Sequence, residues 1–153
     1  MKKQTKNLLM MVIAVSLFAI SCTKENNTAN NGTWTLGSTT YTAKTSVRES
    51  VTGTDKTLSF NDGPNNVVGF SFKSSYPTSN SSYNLFGLSG VGVIAISNSK
   101  SYGLTKETPY NNGKVATVTV SGGKIKITTP TIWLFNLSNA NDSIQFSGTL
   151  TEF

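Results

Sequence analysis

The chain has 153 residues, of which 13 are lysine or arginine and seven are acidic, with one cysteine and no histidine. Charged residues make up 13 % of the chain, against about 25 % in typical globular proteins, and serine, threonine and asparagine take their place. Because histidine is the commonest general base and metal ligand, its absence excludes Ser-His-Asp and Cys-His catalysis and histidine-ligated zinc or haem.

The first element is a short apolar segment behind a basic N-terminus. Three lysines precede an apolar run over residues 8–20 that only Ser16 interrupts. A helix of about thirteen residues rises roughly 20 Å, well short of the roughly 30 Å hydrocarbon core of a bilayer. The segment therefore predicts a signal peptide over residues 1–21 rather than a membrane span.

The end of this run reads Ala19-Ile20-Ser21-Cys22. The tetrapeptide resembles the lipobox of bacterial lipoproteins, although Ala19 stands where leucine is commoner. The resemblance implies cleavage before Cys22, a diacylglycerol on its thiol and attachment to the lipid bilayer through the acyl chains. A lone cysteine in an oxidising compartment has no disulfide partner, which favours this interpretation over an ordinary secretory signal with a chance cysteine.

Residues 22–31 are rich in asparagine and lack large apolar side chains, which predicts a flexible tether. Residues 32–153 are enough for a single β domain. Three of the 13 basic residues lie in the predicted leader, so the remainder carries a net charge of 10 − 7 = +3. These basic residues are scattered rather than clustered, so we expect no binding to nucleic acid.

After the tether, short runs of β-branched and aromatic residues alternate with turn residues, and no sustained helical period is present. The predicted strands cover residues 33–36, 39–47, 56–61, 67–73, 82–87, 91–98, 115–120, 124–128, 131–137 and 143–152. The pattern predicts an all-β fold, an antiparallel β-sandwich of about nine or ten strands. A closed lipocalin-like β-barrel is the alternative.

Alternation within the strands predicts which side chains face the core. They are Tyr41, Ala43 and Val47 in the second strand, Leu58 and Phe60 in the third, and Val68, Phe70 and Phe72 in the fourth. Residues 132–135 are apolar without a break, which predicts a central strand with Trp133 in the core. Trp34 is expected to close one end of the sandwich.

Glycine and asparagine mark the turns. Gly122-Gly123 predicts a two-residue hairpin loop, which sets Val120 against Ile125 and Val118 against Ile127. Further turns are predicted at residues 61–66 and 111–113. The first of these presents several oxygens, but it offers one carboxylate without the spacing of a calcium-binding loop, so a polar turn is favoured over a metal site.

The acidic residues fall mostly in predicted turns, where acids usually form the turn itself. They are Glu25, Glu49, Asp55, Asp62, Glu107, Asp142 and Glu152. A glycosidase needs two carboxylates roughly 5 to 9.5 Å apart, which sequence alone does not exclude. We nevertheless expect no enzyme activity and no cofactor.

Tyrosines beside polar loops give the positive indication of function. Tyr76 and Tyr83 flank residues 77–82, and Tyr102 and Tyr110 flank a second polar connection. Tyrosine among asparagine and serine is typical of loops that bind sugars or proteins, so these four are the predicted binding residues. The alternative is that they cover the rims of a small core.

Two further resemblances concern the domain. Asp142-Ser143-Ile144 resembles the Asp-Ser/Thr-aliphatic acceptor of O-glycosylation in exported Bacteroidetes proteins, which implies a sugar on Ser143. The lipobox, the asparagine-rich tether and a domain that opens with Gly-Thr-Trp-Thr-Leu-Gly-Ser resemble the small lipoproteins of Bacteroidetes. That resemblance implies a lipid-anchored position in the cell envelope, at the outer membrane, with the domain either in the periplasm or exposed at the cell surface.

Three hypotheses for function follow. The first is a non-catalytic binding or structural module that contacts a glycan or an envelope protein. The second is a lipocalin-like carrier of a small apolar ligand, which requires an open apolar interior. The third is an enzyme that uses paired carboxylates.

Overall fold

The computed structural model describes residues 31–50, 55–85, 90–104 and 109–153. Within these ranges the chain forms eleven strands and one 3₁₀ turn. The strands are β1 Gly32–Leu36, β2 Thr39–Thr42, β3 Thr45–Ser50, β4 Lys56–Asn61, β5 Asn66–Phe72, β6 Ser81–Asn84, β7 Val91–Ser97, β8 Lys100–Gly103, β9 Val115–Ser121, β10 Lys124–Asn136 and β11 Asn139–Thr151, and the 3₁₀ turn spans Pro109–Asn111. The predicted leader and Cys22 lie outside the described residues.

The described strands form one antiparallel sheet in the order β2-β1-β11-β10-β8-β7-β5-β4-β3, with β9 also paired to β10 and β6 paired to β9. The sheet folds over on itself, so that Phe70 of β5 packs against Phe146 of β11 with ring centroids 6.3 Å apart. It is not closed into a barrel. The prediction of an antiparallel β-sandwich is therefore confirmed.

The core lies between the two halves of the folded sheet. The predicted core residues of β4 and β5 are buried as expected, and the edge of the Phe60 ring meets Phe70 at 6.3 Å. Trp34 is 1 % exposed and stacks on Tyr41 at 5.3 Å. Each large apolar side chain removed from water in this way stabilises the fold by roughly 1.5–3 kcal/mol.

The prediction that Val47 faces the core is wrong, since its side chain is 44 % exposed. The predicted strand over residues 39–47 breaks where the chain passes from one edge of the sheet to the other. Ala43 N donates to Gly32 O of β1, whereas the next residue, Lys44, donates its N–H to Asn61 O of β4. Side-chain alternation restarts after this crossing, which leaves Val47 on the outer face.

The prediction that Trp133 lies in the core is also wrong, because Trp133 is half-buried on the outer face. Its neighbours Ile132 and Leu134 are fully buried on the inner face. The two strands predicted around Pro130 are one continuous strand, β10. A shift of register between Thr129 and Ile132 absorbs the proline without ending the strand.

The predicted hairpin between β9 and β10 is confirmed in register. Val120 pairs with Ile125 and Val118 with Ile127. The loop glycines have φ of +58° and +77°, the two positive values of a type I′ turn. Strand β8 was missed by sequence reasoning because Lys-Ser-Tyr-Gly shows no apolar alternation, and its pairing comes from β7 and β10 on either side.

Candidate functional site

A cleft of about 350 Å³ opens beside the loop that joins β5 to β6. Two of the predicted binding residues, Tyr76 and Tyr83, line it together with Phe72. Both tyrosine rings meet the Phe72 ring edge-on, with centroids 6.5 and 5.5 Å away. The other lining residues are mostly hydroxyl-bearing and include Ser75, Thr78, Ser79 and Ser81, together with Lys73 and Pro77.

Tyr76 is a fixed wall of this cleft. Its hydroxyl lies 2.8 Å from Glu49 O and 3.0 Å from Thr57 O, so its proton is shared between backbone carbonyls of β3 and β4. Burial raises the pKa of the Tyr76 phenol, although the charge of Arg48 opposes the shift, so the hydroxyl stays a donor. The Tyr76 ring, rather than its hydroxyl, is the part that a ligand can contact.

Arg48 supports Tyr76 from behind. Its guanidinium lies 4.9 Å from the centre of the Tyr76 ring. The same guanidinium donates to both carboxylate oxygens of Glu152 and, over 2.8 Å, to Gly123 O. The hydrogen bond to Glu152 raises the pKa of Arg48, which keeps this cation charged. One side chain thus joins β3, the β9–β10 turn and the end of β11 next to the cleft.

The far end of the cleft loop is held by Asn80 and Tyr83. Asn80 Oδ1 accepts a hydrogen bond from Val120 N of β9 over 2.9 Å. Tyr83 is half-buried in β6 and pairs with Ala116 of β9. Because Tyr76 binds one half of the sandwich and Asn80 the other, the loop bridges both halves.

Tyr102 departs from the prediction of an exposed binding residue. It lies in β8 rather than in a loop and is 5 % exposed, with its ring in the core. Its hydroxyl donates to Asp142 Oδ2 over 3.4 Å, beside a hydrogen bond of 2.8 Å from Asn136 Nδ2. The Asn136 amide is the main cause of a lowered pKa at Asp142, and Lys100 adds to it.

Tyr110 lies apart from the cleft, in the 3₁₀ turn, and is 70 % exposed. Its ring stands 6.2 Å from the ring of Trp133 at an angle of 54°. The next residue, Asn111, is fully buried and uses its amide on the backbone of Trp133: Nδ2 donates to Trp133 O over 3.0 Å, and Oδ1 accepts from Trp133 N over 2.8 Å. Sequence reasoning identified Asn111 only as a turn residue.

The carboxylate of the turn at residues 61–66, which was weighed as a metal site, bonds to neighbouring parts of the fold. Asp62, in the turn between β4 and β5, forms an ion pair with Lys44 and accepts a hydrogen bond from Thr42 N over 3.3 Å. The hydrogen bond from Lys44 is the main cause of the lowered pKa of Asp62. Over the described ranges, acidic and thiol side chains form no group of three that could hold a metal ion.

Ser143 lies in β11 opposite Phe135 and is exposed, so its hydroxyl is accessible. Its glycosylation stays a prediction, as does acylation of Cys22, which lies outside the described residues.

No helix in the described part of the chain is long and apolar enough to cross a bilayer. Comparison with protein-family models, curated proteins and solved structures gave no match to this chain.

Proposed function

We propose that the chain is a non-catalytic sugar-binding module, held at the cell envelope by a lipid on Cys22, with the cleft between Tyr76 and Tyr83 as its binding site. The observation that carries the proposal is the convergence of two tyrosine rings on a cleft whose other walls are rich in hydroxyl groups. This combination of groups is what a pyranose ring requires.

A pyranose presents an apolar face of C–H groups and a rim of hydroxyls. The flat rings of Tyr76 and Tyr83, both half-buried, offer apolar contact for the first. Serine and threonine hydroxyls both donate and accept hydrogen bonds, which suits the second. The volume of about 350 Å³ lies near the lower end of the roughly 300–1,000 Å³ usual for ligand pockets, a size for one or two sugar units.

The rigidity of the cleft also supports binding. Tyr76 is fixed by two carbonyls and by Arg48, and Asn80 ties the other end of the loop to β9. A side chain that is already ordered loses little conformational entropy when a ligand arrives, whereas ordering a mobile one costs about 0.5–1.5 kcal/mol.

The carrier hypothesis receives less support than the surface module. A carrier keeps an open apolar space between its sheets. Here the side chains of Trp34, Phe60 and Phe146 occupy the space between the two halves of the sheet, each with at most 1 % of its surface exposed. Binding at the surface cleft requires no such space.

The lipid anchor in this proposal depends on the lipobox-like Ala19-Ile20-Ser21-Cys22. Strand β1 begins at Gly32, so about ten polar residues would separate the acylated cysteine from the domain. A flexible chain of that length has an end-to-end distance of roughly 15–20 Å. The domain would therefore stay close to the membrane surface and yet turn freely.

The test is glycan-array binding by the full-length protein solubilised in detergent. We expect Tyr83→Ala to lose at least about tenfold in affinity, equivalent to ~1.4 kcal/mol, because it removes one of the two tyrosine rings that line the cleft. Tyr41→Ala is the matched control, since Tyr41 is also half-buried but stacks on Trp34 away from the cleft. Equal losses in both variants, or no array sugar bound by the wild type, would contradict the proposal.

A further inference from the structure

We infer that the chain carries a second sugar-binding surface, separate from the cleft, in which Tyr110 and Trp133 contact the apolar face of an uncharged pyranose. We call these two residues the aromatic platform. The inference does not depend on the cleft, because the platform lies on the outer face of β10 and shares none of the cleft's lining residues.

The platform is fixed by a buried side chain. Asn111 is fully buried, and an amide buried without partners would destabilise the fold by about 1–3 kcal/mol. Both of its amide atoms are instead bonded to the backbone of Trp133. The turn is closed further by Lys114 N, which donates to Asn111 O over 3.0 Å.

The two hydrogen bonds between the Asn111 amide and the Trp133 backbone determine where the two rings lie. Tyr110 immediately precedes Asn111, and Trp133 is the residue whose N–H and carbonyl the amide holds. The Tyr110 ring is therefore one residue from the bonding side chain, and the Trp133 ring is attached to the backbone that this side chain bonds. An exposed tyrosine usually samples several orientations with its loop, whereas here the backbone beneath the ring is fixed.

The pairing of strands along β10 is interrupted at this point. Along the same edge of β10, strand β9 pairs as far as Thr128 and strand β8 begins to pair at Phe135. Trp133 lies between them, where the side chain of Asn111 makes the hydrogen bonds that a neighbouring strand would make. A side chain is narrower than a strand, and Trp133 is only half-buried here.

The chemistry of the surroundings favours an uncharged sugar. The strand register places Gln145 opposite Trp133 and Ser143 opposite Phe135, both exposed on β11. An amide and a hydroxyl donate and accept hydrogen bonds without attracting a charge. Aromatic rings beside such groups match the apolar face and the hydroxyl rim of a neutral pyranose.

Tryptophan fluorescence of the full-length protein tests the inference. The chain has two tryptophans, and Trp34 is 1 % exposed in the core, so a ligand on the surface affects the emission of Trp133. The probes are cellohexaose, xylohexaose and mannohexaose, with hexagalacturonic acid as the charged comparison. We expect a saturable change with at least one neutral probe and none with the charged one.

Variants separate this surface from the cleft. Tyr110→Ala is expected to weaken binding of that probe about tenfold, whereas Tyr110→Phe retains the ring and the affinity. Tyr83→Ala is expected to leave the Trp133 signal unchanged, so failure of the cleft proposal would not affect this result. Because Tyr110 is 70 % exposed, neither of its variants should change the unfolding midpoint.

Three outcomes would overturn the inference. One is no saturable change with any neutral probe up to millimolar concentration. Another is unchanged affinity in Tyr110→Ala. The third is a change in Trp133 emission that depends on protein concentration without sugar, because this would identify the platform as a contact between copies of the chain.

Discussion

Tyr76 combines two contacts that can be separated by the removal of one atom. Its ring lines the cleft, and its hydroxyl is bonded to Glu49 O and Thr57 O. Tyr76→Phe keeps the ring and removes the hydroxyl. We expect the free energy of unfolding to fall by about 1 kcal/mol, the usual net contribution of one hydrogen bond, while sugar affinity is retained.

Urea unfolding followed by circular dichroism measures this change. Tyr110→Phe is the control, because it removes the same atom from a side chain that is 70 % exposed. A midpoint for Tyr76→Phe equal to that of the control would show that the two carbonyls do not depend on the Tyr76 hydroxyl.

The tyrosines also show what sequence reasoning can establish about single residues. Tyr76, Tyr102 and Tyr110 all lie beside polar segments, and the sequence predicted the same role for each. Their exposures differ because β7 and β10 enclose Tyr102 from both sides, whereas Tyr110 stands on the turn that Asn111 fixes. The hydrogen-bond partners Asp142 of Tyr102 and Trp133 of Asn111 are 40 and 22 residues away in the chain and leave no local signal.

At the scale of elements, local patterns predicted the strands well and the connections between distant strands poorly. The β9–β10 hairpin was predicted in register because its turn glycines and its alternation lie within ten residues of one another. The break between Ala43 and Lys44 was missed, because it depends on hydrogen bonds to β1 and β4. The cleft also depends on long-range contacts, because folding brings Arg48, Glu152 and Asn80 to it from distant parts of the chain.

Two carboxylates tie elements together, and we expect their protonation to destabilise the fold. Asp62 holds Lys44 and Thr42 N at the β4–β5 turn, and Asp142 joins Asn136 of β10 to Tyr102 of β8. Both carboxyl groups have a pKa below the ordinary value in the folded state. Their contribution to stability is therefore fully present above the unfolded pKa of about 3.9 and is lost as the pH falls through the lower folded pKa.

We accordingly expect the melting temperature to be nearly constant from neutral pH to about pH 5 and to fall below about pH 4. Thermal melts across this range measure the effect. Asp62→Asn should be less stable at neutral pH and less sensitive to acid than the wild type. A melting temperature that rises on acidification would contradict the assignment of these two groups.

At the scale of the whole molecule, Arg48 joins parts that the backbone ladder leaves apart. Strand β3 is the last strand of the sheet order, whereas Glu152 follows β11 and Gly123 lies in the β9–β10 turn. The guanidinium connects all three through charge-assisted hydrogen bonds, which are stronger than neutral ones. The Arg48 side chain thus connects the edge strand β3 to the other half of the sandwich. The cleft lies next to this connection, because Arg48 also contacts the Tyr76 ring.

In the proposed function, the position of the whole protein in the cell depends on Cys22, the first residue of the predicted tether. Acyl chains on Cys22 would contribute about 0.8 kcal/mol for each buried methylene, whereas a net charge of +3 with scattered lysines gives only weak attraction to an anionic surface. We therefore expect wild-type protein to sediment with membranes and to resist a high-salt wash. Cys22→Ser should release the domain into the soluble fraction or leave the leader uncleaved.

Cell fractionation with immunoblotting, together with mass measurement of the N-terminal peptide, checks this prediction. Tyr83→Ala is the matched control, because it alters the domain and leaves the anchor intact, so it should sediment like the wild type. If Cys22→Ser is cleaved and sediments as before, the lipid anchor is wrong. The sugar-binding proposals would survive that result, since they depend only on the folded domain, which would then have to reach its ligands without a membrane attachment at Cys22.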